Sequence, residues 1–84
     1  MNYSVLWLPG AENELAEIWM AAADRTAVTR AAAELDRRLA QRGPAEGESR
    51  PGNRRITFVR PLAVLFQVDQ QSRTVSVGQV WEFR

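Results

Sequence analysis

The spacing of hydrophobic positions along the chain predicts one strand, then two helices, then three more strands. Residues 3–8 are rich in β-branched and aromatic side chains, which predicts a strand that ends at Pro9. Both faces of this segment are largely apolar, so we expect it to be covered on more than one side. Trp7 lies within the strand, and we expect its indole to belong to the core.

A first helix is predicted after Pro9, where apolar residues recur at helical spacing. The apolar stripe consists of Ala11, Leu15, Ile18, Trp19 and Ala22. Because Trp19 shares this stripe, we expect it to be a core residue. Glu12, Glu14 and Glu17 occupy other faces of the helix and are predicted to be solvated. Acidic side chains near the start of a helix also suit its positive end.

The second helix is predicted to begin after Asp24, a residue suited to cap a helix, and to run to about Gln41. Its apolar stripe is narrow and rich in alanine, which permits close packing: Val28, Ala31, Ala32, Leu35 and Leu39. Gly43 and Pro44 then stop the helix. Because few residues connect the two helices, they are predicted to form an antiparallel hairpin.

The second half of the chain is predicted to be a loop followed by strands. Residues 45–53 are polar and contain glycine and proline, which favours a surface loop. Strands are predicted over residues 54–59, 62–68 and 74–81, with turns at Arg60-Pro61 and residues 69–73. The predicted order is β-α-α-β-β-β. This is an α+β domain in which the helical hairpin packs on a mainly antiparallel four-stranded sheet.

Composition limits what this domain can be. With 84 residues, 45% of them hydrophobic, the chain is predicted to form a single domain over residues 1–84. The absence of cysteine excludes disulfides and thiolate metal sites, and without histidine neither a metal nor another cofactor is expected. Residues 1–4 carry no basic side chain of the kind that begins a leader, so none is expected, and no apolar run approaches the ~20 residues of a membrane helix. We therefore expect a cytoplasmic protein with no membrane partner.

Arginine supplies every basic side chain, since the chain has eleven arginines and no lysine. Four of them fall at ends and turns of the C-terminal strands, Arg54, Arg55, Arg60 and Arg84, and Arg73 lies in the last turn. Such a rim suits an RNA backbone or an acidic protein partner, because the guanidinium presents a planar fork of donors. On a strand Arg54 and Arg60 share a face and Arg55 takes the other, so not all can point into one site. Ordinary solvated strand ends are the alternative explanation.

Several strings in this order resemble the RelE/ParE superfamily of toxins from type II toxin–antitoxin modules, a plasmid stabilisation family. The strings are Tyr3-Ser-Val-Leu-Trp-Leu-Pro9, then Ala11-Glu-Asn-Glu-Leu-Ala-Glu-Ile-Trp19, then Leu62-Ala-Val-Leu-Phe-Gln-Val68, then Val77-Gly-Gln-Val-Trp-Glu-Phe-Arg84. The resemblance covers nearly the whole chain. It implies a bacterial growth inhibitor that is neutralised by a cognate antitoxin protein.

The resemblance leaves the cellular target open. Members of the RelE type cleave messenger RNA on the ribosome without a metal, and members of the ParE type inhibit DNA gyrase. For RNA cleavage, the candidate phosphate-binding catalytic residues are Arg54, Arg60 and Arg84. For gyrase, protein contact needs no catalytic residue. A decayed family member that acts only as a protein-interaction module is the remaining alternative.

The chain departs from the RNase pattern of the family at named positions. The Tyr-Arg pair that commonly opens the third strand is replaced by Leu62 and Ala63. Near the C-terminus Arg84 matches the family, but Glu82 stands where a histidine is common. Residues 54–84 hold no His, Lys, Cys or Tyr, and arginine is a poor proton donor because it stays protonated. We therefore do not expect strong RNase activity.

Overall fold

A computed structural model describes residues 2–83 of the chain, in which two helices pack on one face of a five-stranded sheet. The strands are β1 (Ser4–Trp7), β2 (Glu48–Arg50), β3 (Arg54–Val59), β4 (Leu62–Asp69) and β5 (Thr74–Glu82). The helices are α1 (Pro9–Ala21) and α2 (Arg25–Arg42), and a 3₁₀ turn, Gly43–Ala45, follows α2. None of the described helices is long and apolar enough to cross a membrane.

The sheet has the strand order β1-β5-β4-β3-β2. Strand β1 pairs with β5 in parallel, and the other three pairings are antiparallel. The apolar segment of β4 occupies the centre of the sheet, as its sequence predicts. The predicted α+β class, with helices packed on a mainly antiparallel sheet, is confirmed.

The number of strands is five, not the predicted four, because part of the predicted loop 45–53 is strand β2. Its three residues are all exposed, so no buried face leaves an apolar signature in the sequence. The hairpin between β2 and β3 turns through Pro51, Gly52 and Asn53, and the last two have positive φ angles of 78° and 60°. A short loop with glycine and asparagine is typical of such a hairpin.

Helix α1 begins at Pro9, whose fixed φ and missing N–H suit the first turn of a helix. Proline therefore starts this helix as well as ending the strand before it. Ala11 is buried, and Leu15 and Ile18 pack against the core. Glu14 was predicted to be solvated, and this prediction is wrong. Its Oε1 accepts a 3.0 Å hydrogen bond from the backbone N–H of Val80, which ties α1 to β5.

Helix α2 has the ends that its sequence predicts. The Asp24 side chain accepts a 3.0 Å hydrogen bond from the Ala27 N–H and caps the first turn. Gly43 ends the helix with a φ of 46°, and an added Cβ there would lie 2.6 Å from the ring of Tyr3. The buried stripe between these ends consists of Val28, Ala31, Leu35 and Leu39.

The core lies between the helices and one face of the sheet. From β4, Leu62, Val64 and Phe66 point into it, and from β5 it receives Val75, Val77 and Val80. Trp7 is half-buried and packs against this cluster, as predicted. The opposite face of the sheet has no helix over it within the described residues, and it positions the candidate site.

Candidate functional site

The open sheet face, defined as the side of the sheet away from the helices, exposes apolar side chains. Antiparallel partners share a face, so the registers Ile56↔Leu65↔Gln79 and Phe58↔Ala63↔Trp81 place these residues together on it. Four of its large apolar side chains are exposed: Leu6, Leu8, Phe58 and Trp81. Leu6 retains 53% and Phe58 47% of their accessible surface. Exposed apolar side chains gathered on one face are typical of an interaction surface.

A shallow depression of about 250 Å³ lies at the centre of the open sheet face. It is lined by Leu8, Arg54, Leu65, Phe66, Gln67, Ser76, Gly78 and Gln79. Gly78 has no partner on β4, because the register shifts between Leu65 and Phe66. Such a bulge re-aims the side chains beside it. The polar lining consists of two amides, a hydroxyl and one guanidinium, and the apolar lining is Leu8, Leu65 and Phe66.

The two described arginines of the predicted phosphate site lie at opposite ends of β3. Arg54 begins the strand and Arg60 follows it, so six residues, or about 20 Å of extended chain, separate them. The Arg54 Nε donates to the Pro51 carbonyl at 3.1 Å, and the Arg60 guanidinium lies 5.0 Å from the centre of the Phe83 ring. Arg84 lies outside the described residues. The structure does not bring Arg54 and Arg60 together, and their role in binding phosphate stays a prediction.

Arg55 lies on the other face of β3, as strand parity predicts. It donates to the backbone carbonyls of Glu46 at 2.8 Å and Gly47 at 2.9 Å. Its guanidinium therefore holds the segment before β2 against β3. These contacts give Arg55 a structural role.

Arg50 is a residue of the open sheet face that the sequence did not reveal. It pairs with Arg54 across β2 and β3, so the two arginines share this face at the end of a hairpin. The Arg50 Nη1 lies 3.4 Å from Glu48 Oε1, and that glutamate is largely exposed. The sequence predicted only a surface ion pair between Glu48 and Arg50, which the structure contains; the pairing with Arg54 was not predicted, because these residues were assigned to a loop.

An aromatic cluster occupies the end of the open sheet face beside Arg60. The rings of Phe58 and Phe83 meet edge to face, with centroids 5.4 Å apart and planes at 74°. The guanidinium of Arg60 stacks on Phe83. These rings are therefore engaged with each other and with a cation.

A second surface, the helical groove, lies between α1 and α2 and has a volume of about 730 Å³. It is lined by Trp7, Glu12, Leu15, Ala16, Trp19, Met20, Val28, Thr29, Ala32, Ala33 and Asp36. Met20 is 68% exposed. The indole of Trp7 donates to Asp36 Oδ1 at 2.7 Å, which fixes one end of the groove.

The prediction that Trp19 is a core residue is wrong. Trp19 remains 41% exposed on the wall of the helical groove, because α1 packs on the sheet through Ala11, Leu15 and Ile18. Its indole donates to Thr29 Oγ1 at 3.1 Å, and the guanidinium of Arg25 lies 4.6 Å from its ring centre. The side chain is held rigidly by polar contacts at the surface.

The charges around the end of α2 are paired. Arg37 and Arg38 hydrogen-bond the carboxylate of Glu34 and lower its pKa from 4.5 to about 2. Glu46 is buried, with Thr57 as a hydrogen-bond donor and the Arg42 Nε 3.5 Å from its Oε1. Across residues 2–83, no three His, Cys, Asp or Glu side chains group in a way that could hold a metal ion.

Solved toxin structures share this fold. The chain is similar to the chromosomal ParDE toxin–antitoxin system from P. aeruginosa, with a TM-score of 0.74 and 15% identity over 98% of this chain and 97% of that chain. It is similar to the RelBE2 toxin–antitoxin complex from Mycobacterium tuberculosis, with a TM-score of 0.73 and 13% identity over 98% and 92% of the two chains. It is also similar to a mutant of the E. coli toxin RelE in the free state, with a TM-score of 0.62 and 20% identity over 98% and 84%.

By sequence, no family model and no curated protein matches the chain. The likeness is therefore one of three-dimensional structure, and it extends over almost the full length of each chain. The order of elements that suggested the resemblance is found in the structure, with the short strand β2 added after the helices. The chain has the fold of the RelE/ParE toxins.

Proposed function

We propose that the chain is the toxin of a type II toxin–antitoxin module and that a cognate antitoxin neutralises it by occupying the helical groove. The observation that carries this proposal is the groove itself, a mainly apolar cavity of about 730 Å³ with Trp19 and Met20 exposed at its rim. Two of the structures that share the fold are toxin–antitoxin systems, which supports a partner protein of this kind. The bacterial cytoplasm is the compartment that this function requires.

The side chains of the helical groove suit an amphipathic helix of the partner. Leu15, Val28 and Ala32 supply an apolar floor, and Trp19 and Met20 stand exposed at the rim. A helix that places apolar residues at every third or fourth position would bury this surface. Trp19 is already fixed by its hydrogen bond and by Arg25, so little side-chain freedom is lost on binding.

For the cellular target, the proposal is inhibition by protein contact, with DNA gyrase as the candidate that the resemblance supplies. The separation of Arg54 from Arg60 argues against a single phosphate clamp built from both. Ala63 and Glu82 remove the arginine and histidine that are common in RNases of the family. A ribosome-dependent endoribonuclease that uses Arg54, Arg60 and Arg84 is the second candidate, favoured by the position of Arg54 in the central depression.

The test of the antitoxin proposal is neutralisation in a bacterial host. The chain is expressed alone and together with the short reading frame that neighbours its gene, and growth is measured. We expect arrest by the chain alone and recovery with the neighbour, through a complex that can be purified. Ala33→Arg places a charged side chain on an exposed groove position and should block recovery. The matched control is Ala21→Arg, an exposed alanine outside the groove lining, which should still be neutralised.

Two results would contradict this proposal. The first is a neighbouring protein that neither binds the chain nor restores growth. The second is equal neutralisation of the Ala33→Arg and Ala21→Arg variants, which would place the antitoxin on another surface.

A further inference from the structure

Two arginines lie opposite each other on the open sheet face, and one carboxylate, that of Glu48, forms an ion pair there. Arg50 and Arg54 are direct cross-strand partners, and side chains so placed have Cβ atoms about 4.5–5.5 Å apart. Like charges opposite each other destabilise a hairpin. Glu48 offsets this through one contact of 3.4 Å, from a side chain that is largely solvated. The pair keeps an excess of positive charge.

The guanidinium groups of this pair retain free donors. The Arg54 Nε is used on the Pro51 carbonyl, and neither of its terminal nitrogens makes a hydrogen bond within the described residues. One terminal nitrogen of Arg50 contacts Glu48 and the Ser49 carbonyl. The two side chains start from facing positions on β2 and β3. Their free terminal N–H groups can donate charge-assisted hydrogen bonds to one carboxylate or one phosphate that lies between them.

The surface beside the arginine pair is aliphatic. Arg54 lines the same depression as Leu8 and Leu65, and Ile56 is the next residue of β3 on this face. Asp69 lies on the same face, two residues beyond Gln67, the β4 partner of Arg54, but its Oδ1 accepts from the N–H groups of Gln71 and Ser72 and it makes no ion pair with Arg54. No described carboxylate therefore competes for Arg54 next to these aliphatic side chains.

We propose that the open sheet face binds a protein segment that places a carboxylate side chain on Arg50 and Arg54 and aliphatic side chains on the floor formed by Leu8, Ile56 and Leu65. This segment belongs to the cellular target of the toxin, so the inference rests on the proposed function. The antitoxin and the target then use different surfaces, the helical groove and the open sheet face. A substitution on one of these surfaces should therefore abolish binding of one partner and leave binding of the other unchanged.

The aliphatic floor favours protein over RNA as the occupant. Proteins bind single-stranded RNA largely by stacking bases on exposed aromatic rings. Here Phe58 packs its ring against Phe83, and Arg60 covers Phe83. The exposed ring of Trp81 lies in the same row of the sheet as Phe58, four residues along β3 from Arg54, so it is not beside the arginine pair. The residues next to the arginine pair are leucine and isoleucine, which suit the side chains of a peptide.

The first experiment selects binders from a phage-displayed library of random twelve-residue peptides on the purified full-length chain. We expect the selected peptides to share at least one Asp or Glu beside aliphatic residues. A fluorescent peptide of the consensus sequence is then titrated against the parent chain. Arg50→Gln and Arg54→Gln should each weaken binding about tenfold or more, because each removes a charge-assisted hydrogen bond. Arg30→Gln, an exposed arginine on α2, is the matched control and should bind like the parent.

The outcomes separate this inference from the proposed function. A consensus without acidic residues, no selected binder, or equal binding to Arg54→Gln and Arg30→Gln would overturn the inference. Tighter binding of a labelled twelve-nucleotide RNA that is lost in Arg54→Gln would overturn it in favour of RNA. A peptide whose binding is lost only in Ala33→Arg occupies the helical groove. That result would support the proposed function and contradict this inference.

A growth assay distinguishes loss of target binding from loss of folding, because an unfolded variant would also lose the antitoxin. The double variant Arg50→Gln/Arg54→Gln should lose growth arrest while it still copurifies with the antitoxin, because the helical groove is unchanged. Full arrest by the double variant would overturn the inference. Thermal unfolding of each variant shows whether the fold is intact.

Discussion

The hydroxyl of Thr57 donates a 2.6 Å hydrogen bond to Oε2 of Glu46, and both residues are buried. This contact joins the segment after α2 to the middle of β3. Arg38 and Arg42 lie 4.0 Å and 3.5 Å from the same carboxylate, so a buried negative charge is held by two cations and one hydroxyl. The segment so fixed carries β2, and with it Arg50 of the open sheet face.

Removing the Thr57 hydroxyl should therefore destabilise the fold. Thr57→Val keeps the shape of the side chain but leaves a buried carboxylate oxygen without its donor, at a cost of about 1–3 kcal/mol in the free energy of unfolding. Thr26→Val, at an exposed position in the first turn of α2, is the matched control and should change little. Urea denaturation of the two variants measures the difference. Equal midpoints for Thr57→Val and the parent would contradict the role given to this contact.

Substitution of glycine by alanine is predicted to lower stability at Gly47 and to raise it at Gly10. Gly47 has a φ of 71°, and an added Cβ would collide with the Ile56 carbonyl oxygen, so Gly47→Ala should cost about 1–3 kcal/mol. Gly10 lies in the first turn of α1 with nothing within 4 Å of an added Cβ. Gly10→Ala should stabilise the protein by about 0.4–1 kcal/mol, by restricting the unfolded chain. The midpoints of thermal unfolding of the two variants should shift in opposite directions. A shift of both midpoints in the same direction would contradict the backbone geometry at one of these glycines.

Acid should weaken the protein partly through Glu34. Its pKa is lowered from 4.5 to about 2 by the hydrogen bonds of Arg37 and Arg38. A carboxylate with a depressed pKa contributes stability above its unfolded value, and that contribution is lost as pH falls from about 4.5 toward 2. Because the group is exposed, salt should reduce the effect. Glu34→Gln should flatten the dependence of unfolding free energy on pH in this window, and an unchanged slope would show that the pairing is absent in solution.

Substitution of Trp19 tests whether the helical groove binds the antitoxin. Because it is 41% exposed, Trp19→Ala should cost less than the about 3–5 kcal/mol expected for a buried aromatic residue. Its loss should weaken antitoxin binding about tenfold or more, since an exposed, rigid tryptophan is the kind of residue that dominates interfaces. Calorimetric titration of antitoxin into folded Trp19→Ala measures this. If Trp19→Ala is unfolded, Trp19 is a core residue after all. If the affinity for the antitoxin is unchanged, Trp19 is not part of the interface.

The sequence predicted the elements whose signals are local. Asp24 and Gly43 mark the ends of α2 through a cap and a positive φ, and residues 62–66 are apolar on both faces because β4 is central. Strand β2 escaped prediction because all three of its residues are exposed and only its pairing with β3 makes it a strand. Trp19 and Glu14 were misplaced because helical spacing does not tell which side of the stripe faces the sheet.

The candidate site was harder to predict than the fold, since it depends on register. The alternation of side chains along a strand correctly placed Arg54 and Arg55 on opposite faces of the sheet. The sequence of a single strand does not show which residues of other strands lie beside them. The partnership of Arg50 with Arg54 follows from a three-residue turn between two strands, one of which was not predicted. The helical groove depends on how far apart the two helices lie, and no sequence pattern gives that distance.

Mapping RNA ends in arrested cells separates action by protein contact, which we propose for this chain, from action on RNA. The parent chain and the Arg84→Ala variant are expressed in a bacterial host without antitoxin, and messenger RNA ends are sequenced. We expect growth arrest by the parent with intact messenger RNA, and at most modestly weaker arrest by the variant. Codon-phased cuts that disappear in Arg84→Ala would contradict this expectation, since the loss of one transition-state contact lowers a rate by ~10²–10³. Such cuts would establish an endoribonuclease instead.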